Sequence, residues 1–438
     1  MGIYFGTDGI RGKVNVDLTK SVAYKIGNSL STIKEGAVIV VGYDTRISNT
    51  FLASALTTGA TIGGANVIDI GIAPTAAIAY ITKKINADYG VVISASHNPP
   101  EYNGIKVFDS NGYKLGDKKE EQIEKNFIHE KINEFPNIGK YVQDYSLLSL
   151  YLDYLVDTSQ SLDGYKIVLD CANGAAYNVA PDAFRKLGAK VITINDENDG
   201  LKINDNAGAL HPETLAKKVV EMGADMGFAY DGDADRLIAV NERGEIVDGD
   251  IILCGMAIHL KEKGELNLDT VVGTSHTNMA VESQLNSRNV RLIRAQIGDK
   301  YVLAKMLEKD LSLGGEQSGH IIIKKLSTTG DGILSSLVVA NILAEKKAPF
   351  SQVFDTVLYP QENRDIVCAD KHKMLNSQEL SSLITKCNIE LNGKGRLMVR
   401  ASGTEPKVRI MVESLDDKLN KKLADEIVGL IIALDSES

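Results

Sequence analysis

Tryptophan is absent from these 438 residues, and aromatic side chains make up only 6% of them. That leaves little material for the stacking platforms that hold single-stranded nucleic acid. Basic residues are also in deficit: 48 Lys and Arg stand against 58 Asp and Glu, a formal charge of -10. This is the wrong sign for a partner such as duplex nucleic acid or an anionic lipid surface. Cysteine is scarce. Cys171, Cys254, Cys368 and Cys387 are far apart and form no CxxC, which argues against a disulfide framework or a zinc ribbon and for thiols in a reducing compartment. No apolar stretch approaches the ~18 residues of a membrane-spanning helix. The opening MGIYFGTD has neither the basic start nor the apolar core of a secretory signal. These absences predict a cytoplasmic protein with neither nucleic acid nor membrane as partner.

What remains is ordinary globular chemistry, 44% hydrophobic and 24% charged, in a chain about three times the ~150 residues of a typical domain. Short Val- and Ile-rich runs recur, each stopping at a polar, Gly-containing loop and followed by a helical pattern, which is the rhythm of βαβ units. They are 37–41 before GYDTR, 89–93 before SASHNP, 166–169 before DCANGAA, 226–230 before DGDADR and 270–272 before GTSHTN. Ligands of open α/β sheets bind beyond the carboxyl ends of strands, so chemistry is expected in those loops. Boundaries near 150, 250 and 360 give three α/β units of similar pattern, 1–150, 151–250 and 251–360. The tail, 361–438, reads as α+β: a strand, a helix over 377–386, strands over 396–399 and 408–412, and a terminal helix over 416–434.

Five constellations carry candidate chemistry. In DGDADR, Asp231, Asp233 and Asp235 alternate directly after an apolar strand, so the backbone can turn three hard oxygen donors toward one point, a donor set that suits Mg²⁺ or Ca²⁺. An EF-hand is excluded, because Arg236 stands at the sixth position, where that loop needs glycine, and both flanks read as strands. SASHNP sets Ser96, a hydroxyl nucleophile, beside His97. No G-x-S-x-G elbow accompanies it, and a plain turn before Asn-Pro explains the same residues equally well. Lys106, ten residues on, is either a cation for that loop or a surface lysine. In GEQSGH, Glu316, Gln317 and Ser318 can read sugar hydroxyls, with His320 as an acid or base, or the segment is a hairpin facing water. RASGTEPKVR combines Arg400, Ser402, Gly403, Thr404 and Arg409, either a phosphate cradle or a polar hairpin loop; it is not a Walker loop. GTDGIRG adds Arg11 between glycines, or is merely an N-terminal turn.

Taken together, FGTDGIRG, SASHNP, DGDADR, GEQSGH and RASGTEPKVR resemble, in order and spacing and over the whole chain, the motifs of the α-D-phosphohexomutases. The resemblance implies three similar α/β domains with mixed sheets around a central cleft, plus a smaller C-terminal α+β domain. It implies Ser96 as a phosphoserine that gives and retakes a phosphoryl group, and one Mg²⁺ held by Asp231, Asp233, Asp235 and the phosphorylated Ser96. Arg11, His97, Lys106 and Arg236 would surround the phosphoryl, with His320 as acid or base. Glu316, Gln317 and Ser318 would bind the sugar, while Arg400, Ser402, Gly403, Thr404 and Arg409 would grip the other phosphate. GEQSGH, TTGDG (328–332) and GDKYV (298–302) look most like the branch acting on glucosamine phosphates, which runs through glucosamine 1,6-bisphosphate toward UDP-N-acetylglucosamine. The mannose and glucose branches are the alternative. The implied partner is a small phosphosugar, and a homodimer is an assembly to test. One departure stands out: Gln296 occupies a position where many relatives carry Lys, with Lys300 or Arg294 as substitutes for that substrate contact.

Overall fold

The structure is a computed structural model describing residues 4–6, 8–128, 137–402 and 406–436. Three of its sheets repeat one topology. In the first, β2 (Val38–Tyr43) lies between β3 (Asn66–Ile72) and β4 (Tyr89–Ile93), all parallel, and β5 (Tyr102–Asp109) returns antiparallel beside β4. β1 (Ile10–Lys13) adds beyond β5, and β6 (Tyr141–Gln143) beyond β3. In the second, β7 (Lys166–Asp170) lies between β8 (Lys190–Ile194) and β9 (Met226–Tyr230), with β10 (Leu237–Asn241) antiparallel to β9 and β11 (Ile246–Val247) at the edge. In the third, β12 (Thr270–Thr274) lies between β13 (Arg291–Ala295) and β14 (Leu313–Gly315), with β15 (Ile321–Ile323) antiparallel to β14. Parallel strands covered by helices on both faces must be apolar throughout, and β4, β9 and β12 are buried at every residue, as is the antiparallel β10.

This repeat has a functional consequence. In each sheet the turn from the last parallel strand into its antiparallel neighbour is one of the polar loops: 94–101, 231–236 and 316–320. The chain therefore delivers three chemical loops at equivalent positions of three sheets. Backbone hydrogen bonds anchor the second and third loops to neighbouring segments: Thr75 N–H donates to Asp233 O at 3.0 Å, Gly332 N–H to Ala234 O at 3.0 Å and Leu237 N–H to Gly319 O at 3.0 Å.

The tail forms a separate antiparallel sheet of β16 (Gln361–Val367), β18 (Lys407–Ser414) and β17 (Gly395–Ala401), in that order, with helices Gln378–Leu391 and Asp417–Ser436 packed by their apolar residues into its own core. The α/β expectation for the first three segments and the α+β expectation for the tail both hold. Compactness divides the chain in two: residues 1–277 with 288–355, and residues 278–287 with 356–438. The sequence signals of 127–145 did not reveal β6, a three-residue edge strand exposed at every position and so lacking apolar alternation. All four cysteines are free and buried. Among the described residues, no helix is long and apolar enough to cross a membrane.

Candidate active site

Ser96 sits at the head of the loop after β4 with φ of 53°. A left-handed conformation is costly for a residue with a Cβ and persists only where the surroundings impose it. They do so here. Its N–H donates to Ser94 Oγ at 2.9 Å, and Ser94 Oγ in turn donates to Asp44 at 2.6 Å. Its carbonyl accepts from Arg46 at 3.0 Å and from Asn204 at 2.9 Å. Gly232 lies so close that a Cβ there would stand 2.6 Å from the same carbonyl. The hydroxyl is left to donate to Asp231 Oδ2 at 2.6 Å, with His97 Nδ1 3.4 Å away.

Asp231, Asp233 and Asp235 are all buried, and one carboxylate oxygen from each lies within 4.8 Å of the others. The positive φ of Ala234, 57°, makes the turn that gathers them. Lys106 crosses from β5 to reach Asp233 Oδ2 at 2.8 Å and Asp235 Oδ2 at 3.2 Å, while Thr75 Oγ donates to Asp233 Oδ2 at 2.6 Å. The other oxygens, Asp233 Oδ1 and Asp235 Oδ1, are buried with no hydrogen-bond partner. Orphaned hard oxygens beside a third carboxylate fit a small divalent cation. Burial and the neighbouring Asp235 and Asp233 push Asp231 up to about 7. Although burial works against it, Asp235 is held well below the usual range by Lys106 and His320.

Cations surround this acidic core. Arg236 Nε is 3.9 Å from Asp231, and Arg11 pairs with Asp8. The Nε atoms of both arginines are buried without a hydrogen-bond partner, so two guanidinium groups retain a donor for an anion. Burial, reinforced by Arg236 and Arg11, pushes His97 down to about 3, leaving it neutral near pH 7. His320 is buried with Nδ1 3.6 Å from Asp235 and Nε2 3.7 Å from Asp299. Burial disfavours its charge, but Asp235 and Asp299 raise its pKa. The Gly330 N–H donates to Nε2 at 3.1 Å, so when the ring is neutral its proton lies on Nδ1, facing Asp235.

The sequence candidates thus divide. Ser96, His97, Lys106, Arg11, Arg236, His320 and the three aspartates come together in one connected set of contacts. Glu316 takes a positioning contact, accepting from Gly298 N–H at 2.9 Å, and Ser318 is exposed on the same loop. Gln317 instead donates to Asp248 at 3.3 Å, the residue that caps helix Gly249–Glu262. Lys300 does not join the cluster: it pairs with Asp117 and Glu120 of helix Asp117–Ile128. Arg294 is committed to the carbonyls of Thr277 and Thr274, so neither of the proposed substitutes for the residue at Gln296 has a free side chain. In the tail, Arg400 and Arg409 face each other across β17 and β18, and buried Ser402 donates its N–H to Lys407 O at 2.8 Å. Gly403 and Thr404 lie outside the described residues.

Sequence reasoning missed Asp8, Asp44, Arg46, Thr75, Lys114, Asn204 and Asp299. Lys114 bridges Asp8 and Asp299, and Asp8 is also 3.1 Å from Lys106. Of these, only Asp44 and Arg46 stood in a loop already flagged by its place after a strand.

Comparison with known proteins agrees with this arrangement. Residues 2–134, 149–244, 248–359 and 365–430 match, in that order, the alpha/beta/alpha domains I, II and III and the C-terminal domain of phosphoglucomutase/phosphomannomutase. A phosphoglucosamine mutase of Clostridioides difficile is 46% identical over 98% of both chains, and one of Symbiobacterium thermophilum 42% identical over the same share. A phosphoglucomutase/phosphomannomutase family protein of Burkholderia thailandensis superposes with a TM-score of 0.81 at 24% identity, covering 97% of this chain and 95% of its own. Domain matches in this order, with relatives at such identity along nearly the full length, show that the chain belongs to the phosphoglucomutase/phosphomannomutase family.

Proposed function

We propose that this chain is a cytoplasmic phosphoglucosamine mutase that interconverts glucosamine 6-phosphate and glucosamine 1-phosphate by way of a phosphate carried on Ser96. The observation that carries this reading is the placement of Ser96 Oγ 2.6 Å from Asp231, at the head of a buried carboxylate triad ringed by Arg11, Lys106 and Arg236. The full-length relatives named phosphoglucosamine mutase favour the amino sugar. Asp231, Asp233 and Asp235 would hold Mg²⁺, which when bound supplies charge neutralisation for the phosphoryl group.

The chain's own residues account for the rest. In the forward step the Oγ–P bond of phospho-Ser96 breaks as a P–O bond forms to O1 of glucosamine 6-phosphate, and the O1 proton passes to His320 in its neutral form. The O6–P bond of the resulting 1,6-bisphosphate then breaks as its 6-phosphoryl bonds to Ser96 Oγ, the proton held by His320 passes to O6, and glucosamine 1-phosphate leaves. The spare donors of Arg11 and Arg236 suit the three equatorial oxygens of the phosphoryl in flight. Glu316 and Ser318 are the sugar-reading candidates. Arg400 and Arg409, paired across β17 and β18, offer two guanidinium groups to the phosphate that is not being transferred.

Peptide mass spectrometry is expected to find or install phosphate on Ser96, and S96A to lose mutase turnover. Full activity in S96A overturns the assignment. Comparing kcat/KM on glucosamine, glucose and mannose phosphates tests the sugar, and a clear preference for mannose moves the chain to the sister activity.

A further inference from the structure

A second concavity on the same compact unit is not accounted for by the catalytic cluster. Helix Thr75–Lys84, helix Leu148–Asp157 and the stretch 324–331 after β15 enclose a cavity of about 400 Å³, large enough for a small organic ligand. In a chain of net charge -10, four lysines line it: Lys83 and Lys84 from the first helix, Lys324 and Lys325 from the stretch after β15. Lys324 pairs with Asp310, and Lys325 is 3.7 Å from Glu265. Among the described residues, Lys83 and Lys84 have no carboxylate partner. Their place in the last turn of a helix complements its dipole, but that does not explain the second pair.

Aromatic and hydroxylated side chains also line it. Tyr80 stacks on Tyr154 with centroids 4.5 Å apart and an interplanar angle of 20°. Ser327 and Thr328 contribute to the lining too, their hydroxyls donating to the carbonyls of Thr329 and Gly112. The one carboxylate among the lining residues, Asp331, is buried and turned to internal partners: its Oδ1 accepts from Tyr151 OH at 2.8 Å and from Leu334 N–H at 2.9 Å. Lysines from two separate elements and a tyrosine pair thus line one cavity. Gly330, whose N–H holds His320, directly precedes Asp331, so cavity and cluster share a loop.

We propose that this cavity is a binding site, separate from the catalytic cluster, for a small ligand carrying a diphosphate group. Two lysine pairs from separate elements suit two adjacent phosphates as point-charge partners, and the tyrosines suit a ring attached to them. The proposal does not depend on which sugar the enzyme turns over.

Isothermal titration of the full-length protein in metal-free buffer, with ADP and with inorganic pyrophosphate as probes, tests it. Single-site binding is expected for at least one probe, and both K83E/K84E and K324E/K325E should weaken it by about tenfold or more, ~1.4 kcal/mol. Mutase kcat/KM without probe should stay unchanged in K83E/K84E. Equal affinity for the two probes identifies the diphosphate alone as the recognised group, whereas tighter ADP identifies a nucleotide; either result supports the site. Absence of binding by both probes overturns it, as does binding that either double variant leaves unchanged while thermal melts show it folded.

Discussion

A hydroxyl that is to carry and release phosphate must be held still while its oxygen remains free, and Arg46 does this for Ser96. Its buried guanidinium donates to the carbonyls of Ser96 at 3.0 Å, Asn98 at 2.7 Å, Pro99 at 2.5 Å and Tyr102 at 2.9 Å, with Asp44 2.9 Å from its Nε. One planar fork thus pins the loop that holds Ser96 left-handed. Lysine carries the charge but cannot reproduce the fork. R46K is therefore expected to lower kcat by ~10²-fold through misplacement of Ser96, with KM moving less and the melting temperature falling. Steady-state kinetics and thermal melts check this, and unchanged kcat would remove Arg46 from the positioning role. GYDTR marked the right loop, but nothing in it says that Arg46 turns inward to four carbonyls contributed by residues some fifty positions away.

At the scale of elements, the repeated turn from a parallel into an antiparallel strand places the three loops, and helix Gly332–Lys346 shows how tightly one of them is coupled to the core. Asp331 caps that helix from a fully buried position, and burial pushes its carboxyl up to about 6, against ~3.9 in an unfolded chain. A carboxyl raised in the native state favours folding when protonated, so its contribution worsens as pH rises from about 4 through 6 and remains unfavourable above. The difference is about 3 kcal/mol at most. D331N keeps an oxygen for Leu334 N–H and Tyr151 OH without the charge. It is expected to melt at a higher temperature than the parent at pH 8 and at the same temperature near pH 4. An equal shift at both pH values would show that charge burial is not the cause.

At the scale of the molecule, the first compact unit is joined across its sheets by buried ion pairs as well as by apolar packing. Lys114, a few residues beyond β5, bridges Asp8 ahead of β1 and Asp299 at the start of helix Asp299–Lys309. Burial opposes its charge, but Asp299 and Asp8 raise its pKa. Removing one partner of a buried pair strands the others. K114M is expected to destabilise the protein by about 3 kcal/mol and to lower activity, because Asp299 also faces His320. K114R, which keeps the charge, should recover much of both. Urea unfolding and kinetics on the two variants test this, and a K114M protein as stable as the parent would show the bridge to be energetically idle.

The α/β character, the strands that precede the chemical loops, the α+β tail and the carboxylate triad were legible in the chain because each depends on a local pattern: apolar runs broken by glycine, or three aspartates at alternate positions. Individual residues outside the motifs were not legible. Lys300 and Gln317 sit in suggestive segments, yet their polar ends are taken by Asp117 and Asp248. Lys114 and Asn204 lie in unremarkable stretches, and Asp8 and Asp299 in motifs flagged for other residues, yet all four join the site or its support. Composition put a net charge of -10 on the chain; only the folded arrangement gathers Arg11, Lys106 and Arg236 around one hydroxyl and four lysines around one cavity. The physical reason is sequence distance. Propensity and periodicity act over a few residues, whereas the contacts Ser96 to Asp231 and Lys106 to Asp233 span 135 and 127 positions, and the tertiary packing of three repeated sheets is what brings those partners within reach.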